Sequence, residues 1–250
     1  MRLHSERDGD GPPVVLLHGF GQTARCWGSL PASLASDYEV IRLDAPGHGD
    51  TGGEGVELRA TADLIAETVG PAAYVGYSMG GRMALQLAVD RPDVVQRLVV
   101  IGGTPGIEDD GERAARREAD RALAQRIRDE GVDAFIRHWL DLPLFAGLPA
   151  EARFEDERRR NTAEGLATSL ERAGTGSQEP LWDRLATIDV PVLLVAGQDD
   201  ARYVDLAFRT SAAIGIGTEI STIPFAGHSV HLEQPARFTG ALRRWLASWP

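Results

Sequence analysis

Short apolar runs alternate with segments of helical spacing along most of the chain. Residues 14–17, 38–43, 72–75, 98–101 and 190–196 are apolar or β-branched runs that end at turn residues, and 219–223 form a weaker last member. Helical patterns lie between most of them, at 27–35, 60–69, 82–90 and 206–214. Such alternation predicts an α/β fold: a parallel sheet covered by helices on both faces, with the working residues at the C-terminal ends of its strands. The alternation breaks between about Thr104 and Trp182, where the chain is charged, largely helical and without a convincing strand. We therefore expect a core built from residues 1–103 and 183–250, and a helical lid of residues 104–182 inserted over the strand ends. A lid in that place shapes a pocket and excludes water. No internal repeat or low-complexity tract interrupts the pattern.

The stretch Gly76-Tyr77-Ser78-Met79-Gly80-Gly81-Arg82 falls between the strand at 72–75 and the helical pattern that follows it. G-x-S-x-G in a strand-to-helix turn is the setting of a nucleophile elbow. Gly76 and Gly80 let the backbone turn tightly enough to expose the serine oxygen, and the Met79 amide points into the same space. An exposed serine needs a base, and the base needs an orienting carboxylate, in the chain order Ser, Asp or Glu, His. Gly197-Gln198-Asp199-Asp200 and Phe225-Ala226-Gly227-His228-Ser229-Val230-His231 each follow a predicted strand. Asp200 is favoured over Asp199 by its place third after the glycine. His228 is favoured over His231 because Gly227 permits a tight loop. His18 and His48 read as turn-fixing hydrogen bonders, and His4 and His138 as solvated. His18-Gly19-Phe20-Gly21 follows the first clear strand and aims the Phe20 amide at the same place as the Met79 amide, which makes an oxyanion hole.

Two arginines need anions. Arg82, four residues after Ser78, lies in the first helical turn, where the macrodipole disfavours a cation by a few tenths of a kcal/mol. A carboxylate in the pocket would compensate it, as would a local acid. On a helix over 112–128, Ala115, Ala119, Ala122, Leu123 and Ile127 share one face; Arg116 falls within it, whereas Arg117 and Arg121 point away. An arginine in a buried stripe requires an anionic partner, either an internal acid or a substrate. The run Arg158-Arg159-Arg160 adds further cations.

Bulk properties narrow the partners. The 250-residue chain is long enough for one sizeable core with an insertion. Its formal net charge of -11 argues against nucleic acid or an anionic membrane, so an anionic substrate would have to be met by a local cluster. All 26 basic residues are arginine, so placement rather than number carries meaning. A single cysteine, Cys26, excludes an intrachain disulfide. The polar residues 1–11 lack a signal-peptide core, and no run approaches a membrane span, so we expect a cytoplasmic protein without membrane insertion, monomeric or a small homo-oligomer.

The elbow, the His-Gly-Phe loop and the Ser, Asp, His order resemble the α/β-hydrolase fold family over essentially the whole chain. A narrower resemblance rests on an ordered set: the elbow ending in Arg82, Gly102-Gly103-Thr104-Pro105-Gly106, the arginine-rich first lid helix, Trp139 before Leu142-Pro143-Leu144-Phe145, and Gly165-Leu166-Ala167 leading to Gly174-Thr175-Gly176. This set is similar to the 2-succinyl-6-hydroxy-2,4-cyclohexadiene-1-carboxylate (SHCHC) synthases, the MenH family of menaquinone biosynthesis. The acid loop departs from the commoner Gly-Glu-x-Asp, and the region before Val14 leaves little room for the first strands of the sheet. The resemblance implies a lyase that eliminates pyruvate from a tricarboxylate, with neither metal nor organic cofactor. It implies Ser78, Asp200 and His228 as triad and Phe20 and Met79 as oxyanion donors. It further implies Arg82, Arg116 and Arg158 as carboxylate binders and Tyr77 and Trp139 as pocket lining. Arg159 and Arg160 could take the place of Arg158. An esterase or carbon-carbon bond hydrolase, or a non-catalytic binding module on the same fold, are the rival readings.

Overall fold

The computed structural model describes residues 2–247. Seven strands, β1 (Ser5–Asp8), β2 (Pro13–Leu17), β3 (Glu39–Leu43), β4 (Ala72–Tyr77), β5 (Val95–Ile101), β6 (Val192–Gly197) and β7 (Thr218–Ile223), form one sheet in the order β1-β3-β2-β4-β5-β6-β7. β1 runs antiparallel to β3, and every other neighbouring pair is parallel. β1 is the strand the hydropathy pattern misses: Ser-Glu-Arg-Asp has no apolar alternation, and it is held as an edge by its ladder to β3. The strand order reverses between β2 and β4, where Leu17 pairs with Gly76. At such a switch point the connections diverge to opposite sides and leave a crevice at the strand C-termini. The loop after β2 and the turn after β4 open into it.

Nine helices among the described residues complete the chain: α1 (Leu30–Leu34), α2 (Leu58–Thr68), α3 (Met79–Asp90), α4 (Asp110–Leu140), α5 (Glu155–Arg158), α6 (Ala163–Ala173), α7 (Ala201–Ile214), α8 (Val230–Glu233) and α9 (Pro235–Leu246). Alternate strand residues feed opposite layers, as the two-residue period of a strand requires. Val15, Leu17, Ile41, Leu98 and Val100 pack with Leu58, Ile65, Met83 and Leu87 of α2 and α3. Val14, Leu16, Val40, Val75 and Val99 pack on the other face with Leu30 and Leu34 of α1 and Phe238, Leu242 and Trp245 of α9. Both faces are covered, which explains why the central strands are apolar throughout. Among the described residues no helix is long and apolar enough to cross a membrane.

α4, α5 and α6 form an insertion between β5 and β6. It has its own apolar cluster, in which Ala124, Ile127, Phe135, Ile136, Leu166 and Leu170 are buried, and Leu232 from the core joins it. α4 breaks at Gly131, whose φ of 79° lies outside the helical region. The orientation of its first half corrects the sequence expectation. Asp120, Ala124 and Ile127 are the buried positions, whereas Ala115, Ala119 and Ala122 are exposed and Arg116 sits at the open end of the face. Alanines carry too little apolar area to set a helix phase. Here a buried acid sets it: Asp120 accepts from Arg116 Nε at 2.7 Å and from the Gly176 amide at 3.1 Å. Arg117, expected to point away, donates to the Gly176 carbonyl.

Three of the buried histidines, His18, His48 and His231, are held neutral. Desolvation lowers His18 to about 4 and His48 and His231 to about 3. Each then binds its proton more readily in the unfolded chain, so stability is complete above pH ~6.5 and falls as pH drops towards 3–4. His231 is the cleanest probe, because neither ring nitrogen has a partner and its neighbours are Trp27, Tyr77 and Phe238. The urea midpoint is expected to fall between pH 7 and pH 5. His231→Phe should recover about 2 kcal/mol of stability at pH 5 relative to its effect at pH 7. Parallel pH dependences in the two proteins would count against neutral burial of His231.

Candidate active site

The turn from β4 into α3 puts Ser78 at φ 52° and ψ -107°, a conformation non-glycine residues seldom adopt. The neighbouring glycines are there for clearance. A Cβ on Gly76 would lie 2.2 Å from the Gly80 carbonyl oxygen, and one on Gly80 would lie 1.9 Å from that of Leu17. The strain is held in place by the Ser78 amide bond to the Ile101 carbonyl and by the first α3 bond, Arg82 N–H to the Ser78 carbonyl.

Ser78 Oγ lies 3.1 Å from His228 Nε2, and His228 Nδ1 lies 2.9 Å from Asp200 Oδ2. Asp200 is the N-cap of α7, where its other oxygen accepts from the Tyr203 amide. Both partners of the imidazole are thus on fixed elements, and the pattern suits a ring that protonates Nδ1 and offers Nε2 to the serine. Asp199 is exposed and does not face the ring, while His231 lies behind Tyr77 in the apolar layer. The geometry therefore separates both pairs of residues that the sequence leaves open.

The loop after β2 carries Phe20. His18 spans it, with Nε2 accepting from the Ala45 amide and Nδ1 meeting the Gly19 carbonyl. His48 Nε2 accepts from the Gly21 amide. Neutral rings are needed for both acceptor roles, which matches their lowered affinity for protons. Among the described residues the Phe20 and Met79 amides have no protein acceptor, so each remains available to a ligand oxygen. The Phe20 ring is wedged edge-on between His48, Phe135 and Trp139, which ties the loop to α4.

A cavity of about 360 Å³ opens beside Ser78, lined by Phe20, Arg82, Arg116, Trp139, Tyr203 and His228 among others. Arg82 is 7% exposed and donates to the Ala173 carbonyl at 2.6 Å and, more loosely, to Gln178 Oε1 at 3.4 Å. Ala173 ends α6, so a helix C-terminus offsets the unfavourable α3 N-terminus. Neither acceptor is an anion, and among the described residues Arg82 forms no ion pair. Burial, with repulsion from Arg116 a smaller contribution, lowers its guanidinium to about 10. Arg158 is 1% exposed and donates to the Arg153 and Gly21 carbonyls, while its Nη2 has no partner. Its neighbours in sequence face elsewhere: Arg159 pairs with Glu155 and Asp156, and Arg160 with Asp50. Arg116 is half-exposed at the cavity mouth and already paired with Asp120.

A small cleft beside Ser78 joins Arg158 to Trp139, Tyr77 and Gln22. Trp139 Nε1 and Gln22 Nε2 are buried donors with no partner, like Arg158 Nη2. Tyr77 bonds Ser229 Oγ through its hydroxyl and presents its ring to His228. The sequence reading missed Gln22, Gln178 and Tyr203. Tyr203 had a usable signal, since its place three residues after Asp200 puts it on the same helical face, and its ring centroid lies 4.5 Å from that of His228. Gln22 and Gln178 had none, because their contacts depend on loops folding back.

Comparison with known proteins places this geometry. The model of the "Alpha/beta hydrolase family" matches residues 14–241. A Bacillus subtilis protein, provisionally named as a 2-succinyl-6-hydroxy-2,4-cyclohexadiene-1-carboxylate synthase, is 38% identical over 94% of this chain and 90% of its own. The synthase of that name from Enterobacter is 33% identical over 94% of this chain and 92% of its own. The structure of MenH from Staphylococcus aureus superposes with a TM-score of 0.92, at 28% identity over 98% of both chains. The mostly parallel sheet, the helical insertion and the full-length match agree: the chain belongs to the alpha/beta hydrolase family, and within it is similar to the SHCHC synthases.

Proposed function

We propose that this protein is a lyase that eliminates pyruvate from 2-succinyl-5-enolpyruvyl-6-hydroxy-3-cyclohexene-1-carboxylate to give SHCHC. The observation that carries the reading is the pair of buried guanidiniums, Arg82 and Arg158, that face the space around Ser78 with only neutral oxygens as partners. A buried cation is costly unless an anion meets it. In a chain of net charge -11, cations placed this way are better explained by an incoming polycarboxylate than by the protein's own acids. Arg116 at the mouth supplies a third positive group, and the unpartnered donors of Trp139 and Gln22 suit carboxylate or carbonyl oxygens.

In this mechanism His228, oriented by Asp200, takes the Ser78 proton, and the serine oxygen removes the proton α to the succinyl ketone. The electron pair passes to the ketone oxygen as an enolate, where the Phe20 and Met79 amides would stabilise it. Each donor of this kind contributes about 3–4 kcal/mol in a water-excluded site. Collapse of the enolate breaks the C–O bond to the enolpyruvyl group, which leaves as the enolate of pyruvate; the proton held on His228 passes to it, giving pyruvate and returning the neutral imidazole. The insertion over 104–182 acts as the lid, with Trp139 and Leu144 closing the cavity above the serine.

Incubation with the enolpyruvyl substrate should release one pyruvate per SHCHC formed. Brisk hydrolysis of simple esters without pyruvate release would replace this reading with an esterase. Arg82→Gln should cost about 2–3 kcal/mol of transition-state binding, roughly a hundredfold in kcat/KM for the tricarboxylate. Its effect on a neutral ester should stay within about threefold. Equal losses on both substrates would show that Arg82 serves the fold rather than a carboxylate.

A further inference from the structure

His228 sits on a short loop between β7 and α8, and the residues just before it, Ala226 and Gly227, pack their carbonyls against Gly197 at the end of β6. Glu233, the last residue of α8, reaches back over this loop. Its Oε2 accepts from the Gly227 amide at 2.7 Å and its Oε1 from the Ser229 amide at 2.8 Å. These are the two amides that flank His228. Among the described residues, no other backbone N–H in 227–229 has a protein acceptor. On the far side the Ser229 hydroxyl lies 2.8 Å from that of Tyr77, the residue before Ser78. The histidine loop is thus fastened from behind by one carboxylate and from the elbow by one phenol.

We propose that Glu233 is a positioning residue for the reaction: its carboxylate straddles His228 and sets the distance from the imidazole to Ser78. Carboxylate bonds to amides are charge-assisted and directional, and two of them fix both the position and the tilt of the three-residue segment. The proposal rests on Ser78 and His228 being the reacting pair. A carboxylate that merely closed α8 would hold the helix end equally well without governing the ring.

The test uses the reaction of Ser78 with a fluorophosphonate, which reports serine activation whatever the natural substrate. Glu233→Gln keeps the shape but turns an NH2 group towards one of the two amides. Its labelling rate should fall about a hundredfold, the size expected when a reacting group is displaced by about 1 Å. The low-field proton resonance of His228 Nδ1–H should broaden or shift with it. Gly227→Ala provides a milder perturbation of the same clamp, since its Cβ would lie 3.1 Å from Glu233 Oε2, and should give an intermediate loss. A lower melting temperature with wild-type labelling and an unchanged resonance in either variant would overturn the proposal. Failure of the wild-type protein itself to label would instead remove the Ser78–His228 reading and this inference together.

Discussion

The approach of α3 to the tip of β2 decides where the chemistry can lie. A Cβ at Gly80 would stand 1.9 Å from the Leu17 carbonyl oxygen, so the helix can begin here only without a side chain at that position. Because it begins here, Ser78 is forced into its strained turn, the Met79 amide is left without an acceptor, and Arg82 enters the cavity wall one turn later. Leu17 also pairs with Gly76 across the switch point of the sheet. The Phe20 loop and the elbow therefore leave adjacent strands in register. Phe20 and Met79 line one cavity because the ladder between β2 and β4 aligns the strand ends.

Electrostatics in the cavity runs against that of the whole molecule. The surface is acidic, and its arginines are mostly paired, as with Arg128 between Glu164 and Glu171. Exposed pairs of this kind contribute little, typically less than about 1 kcal/mol each. Arg82 and Arg158 are different, since both are buried among carbonyls and both have their affinity for protons lowered by desolvation. A fold selected for stability alone would place apolar groups there. On the proposed reading these cations serve substrate binding, and the strained φ of Ser78 serves the reaction.

The insertion supplies what the sheet cannot. Trp139 from α4 packs edge-on against Phe20, so the segment above the cavity also braces the loop below it. Asn161, just beyond α5, accepts from the Gly49 amide and donates to the Arg158 carbonyl, joining the insertion to the loop after β3. The site is therefore assembled from both layers, and the position of Phe20 depends on contacts to either side.

Strand and helix periods, the G-x-S-x-G turn and the chain order of Ser78, Asp200 and His228 were readable along the chain, because each depends on neighbours within a few residues. The placement of Asp200 as an N-cap and of His228 after Gly227 follows the same local rules. β1 was not readable, since a polar edge strand is defined by its partner rather than its own pattern. The face of α4 is not legible in its sequence, because its small alanines leave the phase to a single buried acid, Asp120, whose partner Gly176 is remote in sequence. Only the tertiary structure could choose Arg158 over Arg159 and Arg160, bring Gln178 to Arg82, or set Glu233 behind His228. Local spacing determines which groups the chain carries and which way a turn presents them. Burial and partnership depend on which distant segments pack alongside, and a one-dimensional pattern does not contain that information.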